Sequence, residues 1–102
     1  MIVEYIRYAL KHHSTDSLVD AYTSAAQHLR AAPECLGYEM TVCEDEPSTC
    51  ILRIEWGSSE AHMNGFRRGP NFPPFLVLIR PFIDDIVEMR HYRLTGLSWQ
   101  RD

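Results

Sequence analysis

The chain has 102 residues and a mass of 11.8 kDa, which is the size of one domain. Its 45% hydrophobic and 24% charged residues are typical of a globular domain and exclude a disordered tail or a collagenous repeat. The net charge of −4 argues against nucleic acid as a partner, because a grip on phosphate backbones needs a positive surface.

The sequence gives no sign of a membrane segment or a targeting segment. The apolar run 75–79 is far shorter than the ~20 residues that a spanning helix needs, so we expect no membrane partner. Charged Glu4 and Arg7 interrupt the first apolar stretch and argue against a signal or transit peptide. We therefore expect a cytoplasmic protein. Three cysteines without CxxC spacing predict neither a disulfide framework nor a zinc site; they are Cys35, Cys43 and Cys50.

The first predicted elements are a strand and an amphipathic helix. Residues 2–10 are rich in β-branched and aromatic side chains, which indicates a strand. Residues 14–17 offer N-cap oxygens for a helix that Pro33 ends. The apolar stripe of this helix consists of Leu18, Tyr22, Ala25, Leu29 and Ala32.

Two further strands, residues 36–43 and 49–56, form a predicted hairpin around an acidic turn. We expect the register in which facing residue numbers sum to 92, because it places Glu39 opposite Arg53. A register in which the facing numbers sum to 94 would place Glu39 opposite Glu55, a second acid. The favoured register also pairs Leu36 with Trp56.

Two short helices and a last strand complete the chain. Ser58 precedes a helix over residues 59 to about 67, and a second helix opens with two prolines in its first turn. The second helix places Phe72, Phe75, Leu76 and Ile79 on one stripe. The last strand, residues 86–92, carries Val87, Met89 and His91 on one face.

The order β-α-β-β-α-α-β predicts an α+β domain of the ferredoxin-like, split βαβ plan. In this plan a four-stranded antiparallel sheet carries its helices on one face. We expect a single domain over residues 1–102, with its core at about 2–93 and a loosely held tail at 94–102.

The sheet face without helices is predicted to be charged. Its charged residues are Glu39, Arg53, Glu55, Glu88 and Arg90. We expect a homodimer in which two such faces meet and close into a dimeric α+β barrel, because alternating acids and bases can fix the register of a twofold contact. The alternative is the solvated face of a monomer.

Between the other sheet face and the short helices we expect an aromatic cleft. Its predicted walls are Tyr22, Trp56, Phe66, Phe72, Phe75 and Met89. They could bind a small aromatic molecule, or they could fill an ordinary core. No phosphate loop, GxSxG, HExxH, flavin or nicotinamide motif is present, so we expect neither a cofactor nor a metal.

Polar residues in this cleft are the candidates for chemistry. His62 shares a helix face with Phe66, and His91 shares a strand face with Met89, so both imidazoles are candidate proton shuttles or hydrogen-bonded core residues. The pair 67–68 could hold an anion or form a solvated corner.

The inward face of the first strand stays open at this point. Either Tyr5 and Arg7 or Ile6 and Tyr8 face the helices, because both sets mix polar and apolar residues. If Arg7 faces inward, it would be a partner for a phenolate or carboxylate.

Several segments resemble the antibiotic biosynthesis monooxygenase domain over about residues 2–93. They are residues 1–8, 35–39, 53–56, 65–67 and 85–92, together with His62. The resemblance implies a dimeric α+β barrel and oxidation of aromatic anthrones by dioxygen with neither metal nor flavin. The same domain also occurs in haem-degrading enzymes, quinol oxygenases and signal-molecule processing proteins.

The haem-degrading branch needs an Asn on the first strand, a Trp in the first short helix and a His in the second. The matching positions hold Tyr5 or Ile6, Phe66 and the run 75–78, so the resemblance does not imply haem binding. The polyketide branch orients a phenol with Trp, Tyr, Asn and Arg. The counterparts by region are Trp56, Tyr5, Asn64 and Arg7.

The resemblance thus implies a cofactor-independent monooxygenase that oxidises a phenol, an anthrone or a quinol-like substrate with dioxygen. His62 or His91 would take the proton, Arg7 would stabilise the developing negative charge, and the aromatic walls with Tyr5 would hold the rings. The alternatives are a non-catalytic module that binds small molecules and a cofactor-free isomerase or cyclase.

Overall fold

The computed structural model describes residues 1–102. The elements are β1 Ile2–Ala9, α1 Thr15–Ala31, β2 Cys35–Val42, β3 Thr49–Trp56, a π-helix Ala61–Phe66, α2 Phe72–Ile79, a 3₁₀-helix Arg80–Asp85 and β4 Ile86–Arg93. The antiparallel sheet has the strand order β2-β3-β1-β4, and the helices pack on one face. This confirms the predicted ferredoxin-like plan. No helix has the length and apolarity that crossing a membrane requires.

Helix α1 begins and ends where the sequence predicts. The hydroxyl of Ser14 accepts a hydrogen bond from the backbone N–H of Ser17 at 3.1 Å, which satisfies one free donor of the first turn. The helix ends at Ala31, two residues before Pro33. The predicted stripe is buried against the sheet, and burial of this apolar face supplies most of the stability of the helix.

The β2–β3 hairpin has the predicted register over most of its length. Glu39 lies opposite Arg53, and the pairs on either side follow the same sum. The prediction that Leu36 faces Trp56 is wrong. A β-bulge shifts the register at this end, so Cys35 lies opposite Trp56 and Leu36 is 57% exposed.

A second irregularity lies in β4. The register against β1 shifts by one residue, so Ile86 lies opposite Tyr8 and Val87 has no partner. Val87 is 48% exposed, and its predicted place on the inner face was wrong. Met89 and His91 stay on the inner face, opposite Ile6 and Glu4 of β1.

The core fills the space between the sheet and the helices α1 and α2. Its largest fully buried side chains are Trp56, Tyr8, Leu18, Leu29, Leu52 and Ile54. On the opposite face, ion pairs join Arg53 to Glu55 at 3.4 Å and Arg90 to Glu88 at 3.2 Å. After Arg93 the chain has no regular structure.

Candidate active site

A mostly apolar cavity of about 230 Å³ opens between the inner face of the sheet and the short helices. Its polar lining residues are Glu4, His62 and Arg67. A concave apolar site with a few convergent polar groups is the usual form of a small-molecule site. The sheet supplies the floor of this cavity, while the π-helix and α2 supply its walls.

Aromatic rings form the wall opposite the sheet. The Phe66 ring lies at the centre, with its centroid 5.0 Å from Trp56, 5.6 Å from Phe72 and 5.4 Å from Phe75. The two Phe–Phe contacts are edge-to-face, the arrangement that aromatic quadrupoles favour. Met89 of β4 lines the cavity from the side of the sheet.

The π-helix places three site residues on one side. The backbone N–H of Arg67 donates to the carbonyl of His62, five residues back, at 3.0 Å. Such i→i+5 bonding widens the turn, so residues four and five positions after His62 point in the same direction. His62, Phe66 and Arg67 therefore all reach the cavity.

A buried carboxylate lies at the inner end of the cavity. Glu4 is 2% exposed, and its Oε1 accepts a hydrogen bond from Trp56 Nε1 at 3.0 Å. His62 Nε2 lies 3.7 Å from the same oxygen. The His62 ring stacks on the Trp56 indole, with 4.3 Å between centroids and 13° between planes.

A second imidazole continues this cluster. His62 Nδ1 lies 2.7 Å from His91 Nε2, so one of these nitrogens carries a proton and the other accepts it. His91 is exposed, whereas His62 is 3% exposed. The fold brings the two imidazoles together, because His91 pairs with Glu4 in the β1–β4 register and Glu4 lies beside His62.

The electrostatics of the cluster oppose charge on the imidazole. Burial first, and then Coulomb interactions with Arg67 and His91, lower the pKa of His62 from 6.5 to about 4. Burial raises the pKa of Glu4 above its ordinary 4.5, although the Trp56 hydrogen bond, His91 and Arg67 act in the other direction. At neutral pH His62 is therefore neutral, and Glu4 is a stronger base than a solvated carboxylate.

Arg67 brings a guanidinium to the edge of the cavity. Its Nη2 donates to Met89 Sδ at 3.4 Å, and its Cζ lies 5.8 Å from the centroid of Phe72. Its Nε is buried and has no hydrogen-bond partner. A buried donor without a partner is costly, so this N–H is a candidate contact for an oxygen of a bound ligand.

Comparison with known proteins identifies the family. The sequence profile described as "Antibiotic biosynthesis monooxygenase" matches residues 1–75. This chain belongs to the antibiotic biosynthesis monooxygenase family. The uncharacterised protein YczJ of Bacillus subtilis (strain 168) is 22% identical over 93 residues, which cover 91% of this chain and 98% of YczJ.

Solved structures agree with the fold of this family member. A Bordetella bronchiseptica protein assigned to antibiotic biosynthesis monooxygenases has a TM-score of 0.76 at 18% identity, covering 92% of this chain and 96% of its own. SnoaB, a cofactor-independent oxygenase from Streptomyces nogalater, has a TM-score of 0.71 at 13% identity, covering 99% and 97%. At these identities the likeness establishes the fold.

Two predicted site residues of this family member lie elsewhere. Arg7 points to the sheet face that carries no helices, which we call the open sheet face. There its Nε lies 3.6 Å from Glu88 Oε1, and Tyr5 packs edge-on against Tyr92. The proposed inward position of Arg7 and Tyr5 is therefore wrong. The reason is that Glu4 is buried on the inner face of β1, although charged side chains usually face solvent. Because side chains alternate along a strand, Tyr5 and Arg7 then lie on the opposite face.

Tyr22 is also displaced from its predicted role. It packs behind Phe75, with 6.1 Å between ring centroids, and its hydroxyl lies 2.5 Å from that of Tyr8. Burial raises the pKa of Tyr8 to about 12 and the pKa of Tyr22 well above 10, so both phenols are neutral structural groups. Trp56, Phe66, Phe72, Phe75 and Met89 do line the cavity.

Glu4 was not predicted as a site residue, and Arg67 was predicted either to hold an anion or to lie at a solvated corner. Both line the cavity, whereas the neighbouring Arg68 is exposed. Glu4, His62 and His91 offer ligand atoms within 4.8 Å of one another, the spacing of a candidate metal site. The contacts of His62 run through opposite ring nitrogens, however, and one ion would use a single nitrogen of the ring.

Proposed function

We propose that this chain is a cofactor-independent monooxygenase that oxidises a small phenol, anthrone or hydroquinone with dioxygen. The observation that carries the proposal is the meeting, in one aromatic cavity, of a buried base and an unpartnered guanidinium N–H. SnoaB, with the same fold, is itself a cofactor-independent oxygenase. The cavity volume of about 230 Å³ favours a small substrate.

The aromatic wall would hold the substrate rings. Phe66, Phe72 and Phe75 present ring faces and edges to the cavity, and Met89 adapts to their shape. Exclusion of water from this apolar space strengthens every electrostatic contact with a bound anion.

Glu4 and His62 would remove a proton from the substrate. Arg67 would stabilise the resulting anion through its free Nε–H, which is the role predicted for Arg7 from the sequence. For an anthrone, the carbanion gives electrons to dioxygen and forms a peroxide at the same carbon. Loss of water then leaves a carbonyl, so one oxygen atom enters the product and the other leaves as water.

We also propose that the chain forms a homodimer through its open sheet face. This face carries Tyr5 and Tyr92 among the ion pairs of Arg7, Arg53 and Arg90. Such a face of an antiparallel sheet is either exposed to water or covered by a second copy of the chain. Alternating charges would fix the register of the twofold contact.

Oxygen uptake by metal-stripped protein with a panel of anthrones and hydroquinones tests the proposed reaction. Uptake that is lost in His62→Gln and kept in the exposed control His12→Gln supports it. Absence of uptake, with compounds that still raise the melting temperature, would leave a binding module. Conversion of a compound without uptake would indicate an isomerase or cyclase, and either result would overturn the oxygenase proposal for these substrates.

A further inference from the structure

Three titratable side chains connect the cavity to the protein surface. Glu4 and His62 are buried at the cavity wall, and His91 is exposed outside it. We propose that Glu4, His62 and His91 form a proton relay in which Glu4 takes the substrate proton and His91 releases a proton to solvent. The relay rests on the proposed function for its purpose, but its hydrogen bonding can be tested without turnover.

The use of opposite nitrogens on one ring supports this order. His62 Nε2 faces Glu4 Oε1 at 3.7 Å, while His62 Nδ1 faces His91 Nε2 at 2.7 Å. An imidazole between two such partners can accept a proton on one side and give up a proton on the other. The first gap must shorten by roughly 0.7 Å to reach the ~3.0 Å of an ordinary hydrogen bond, which a small rotation of the Glu4 side chain could provide.

The groups around His62 favour passage of a proton over its retention. Glu4 of β1 faces the ring, Trp56 of β3 stacks on it, and His91 of β4 bonds to it. The guanidinium of Arg67, which follows the π-helix, adds positive charge nearby. A second positive charge on His62 is therefore unfavourable, so the ring is suited to transfer a proton without storing it.

The transfer conserves one proton. A substrate C–H or O–H bond breaks, its electron pair stays on the substrate, and the proton binds the Glu4 carboxylate. The proton then moves to His62 Nε2 as the Nδ1 proton of His62 moves to His91 Nε2. His91 releases the proton of its other ring nitrogen to water, which leaves both His62 and His91 protonated at Nε2. Return of one proton from water along the same path, through His91, His62 and Glu4 to the peroxide anion, restores both starting tautomers.

Nitrogen NMR of the full chain tests the hydrogen-bonded connection directly. In the native protein we expect the His62 and His91 ring nitrogens to show complementary tautomers, and in His91→Gln we expect the His62 ring nitrogens to shift. The control His12→Gln should leave them unchanged. Unchanged His62 resonances in His91→Gln would overturn the relay. A shift of the His62 and His91 ring nitrogens together on addition of one equivalent of Zn²⁺, with metal present in the purified protein, would also overturn it.

Chemical rescue tests whether His91 carries a proton during turnover. With 1,8-dihydroxyanthrone as the probe and little buffer, His91→Ala should slow turnover by about a hundredfold, within the usual range for a lost acid–base group. Free imidazole should restore the rate, while the KM of the probe stays within about twofold. An undiminished rate, or a slow rate that imidazole does not raise, would refute the relay. If the native protein itself does not turn over the probe, the proposed function fails for anthrones, and the NMR result still decides the relay.

Discussion

Replacing His62 by Gln should remove a pH-dependent part of the stability of this protein. Burial, Arg67 and His91 lower the pKa of His62 from 6.5 to about 4. Between these values the unfolded chain binds more protons at this residue than the folded chain does. The contribution of His62 to stability is therefore lost as the pH falls from 6.5 toward 4, and it is recovered as the pH rises.

The size of this effect follows from the same interval. At ~1.4 kcal/mol per pH unit, a pKa lowered from 6.5 to about 4 corresponds to roughly 3 kcal/mol. Glu4 acts in the opposite direction. The pKa of Glu4 is raised above 4.5, so the contribution of Glu4 to stability falls as the pH rises from 4.5 through the pKa of the folded state. The difference between native protein and variant isolates His62, because both proteins contain Glu4.

Urea denaturation at a series of pH values from 4 to 6.5 provides the measurement. The free energy of unfolding of the native protein should fall relative to that of His62→Gln by roughly 3 kcal/mol across the interval, since Gln does not titrate. His12→Gln, which replaces an exposed imidazole, should keep the native dependence. A His62→Gln variant with the same pH dependence as the native protein would refute the lowered pKa and the neutral imidazole.

Three further predictions follow from the site and from the open face. Trp56→Phe removes the N–H donor of the buried Glu4 carboxylate and should lower the free energy of unfolding, measured in urea, by about 2–4 kcal/mol. If the losses caused by Trp56→Phe and Glu4→Gln simply add in the double variant, the 3.0 Å hydrogen bond is contradicted. Arg67→Met should weaken binding of 1,8-dihydroxyanthrone at least about tenfold by calorimetry, whereas Arg68→Met should not, and equal effects would contradict the role of Arg67. Arg90→Glu should change the sedimentation mass from twice 11.8 kDa to 11.8 kDa, and an unchanged dimer would reject the proposed interface.

Local patterns account for the parts of the fold that the sequence predicts. The stripe of α1 has helical spacing from Leu18 to Leu29, and the serine at its start supplies the cap. In the hairpin, Glu39 opposite Arg53 gives the register because the alternative pairings would oppose like charges. The aromatic wall could be predicted since Phe66 and Phe75 had to be buried somewhere on the inner side.

The inward face of β1 could not be predicted from its alternation. Glu4 points inward among apolar residues, and a buried carboxylate is stable only when tertiary contacts satisfy it. That contact is the hydrogen bond from the indole N–H of Trp56, which is distant in sequence. The available signal was the number of polar groups in the cleft that needed partners. An indole N–H and two imidazoles together call for an acceptor.

Arg67 was undecided for a different reason. On an α-helix, residues at positions 62 and 67 point to different sides, so the guanidinium was a candidate for a solvated corner. The wider turn of the π-helix places both on the cavity side. Single-turn π segments depend on local hydrogen bonding that residue periodicity does not reveal.

Isotope labelling tests the central claim, that this chain inserts oxygen into a small aromatic substrate without a cofactor. Metal-stripped protein is supplied with 1,8-dihydroxyanthrone under ¹⁸O₂, and the product is analysed by mass spectrometry. The proposed mechanism predicts one labelled oxygen atom per product molecule, formed by the native protein and lost with Glu4→Gln. An unlabelled product, or a labelled product that forms equally fast without the protein, would contradict it.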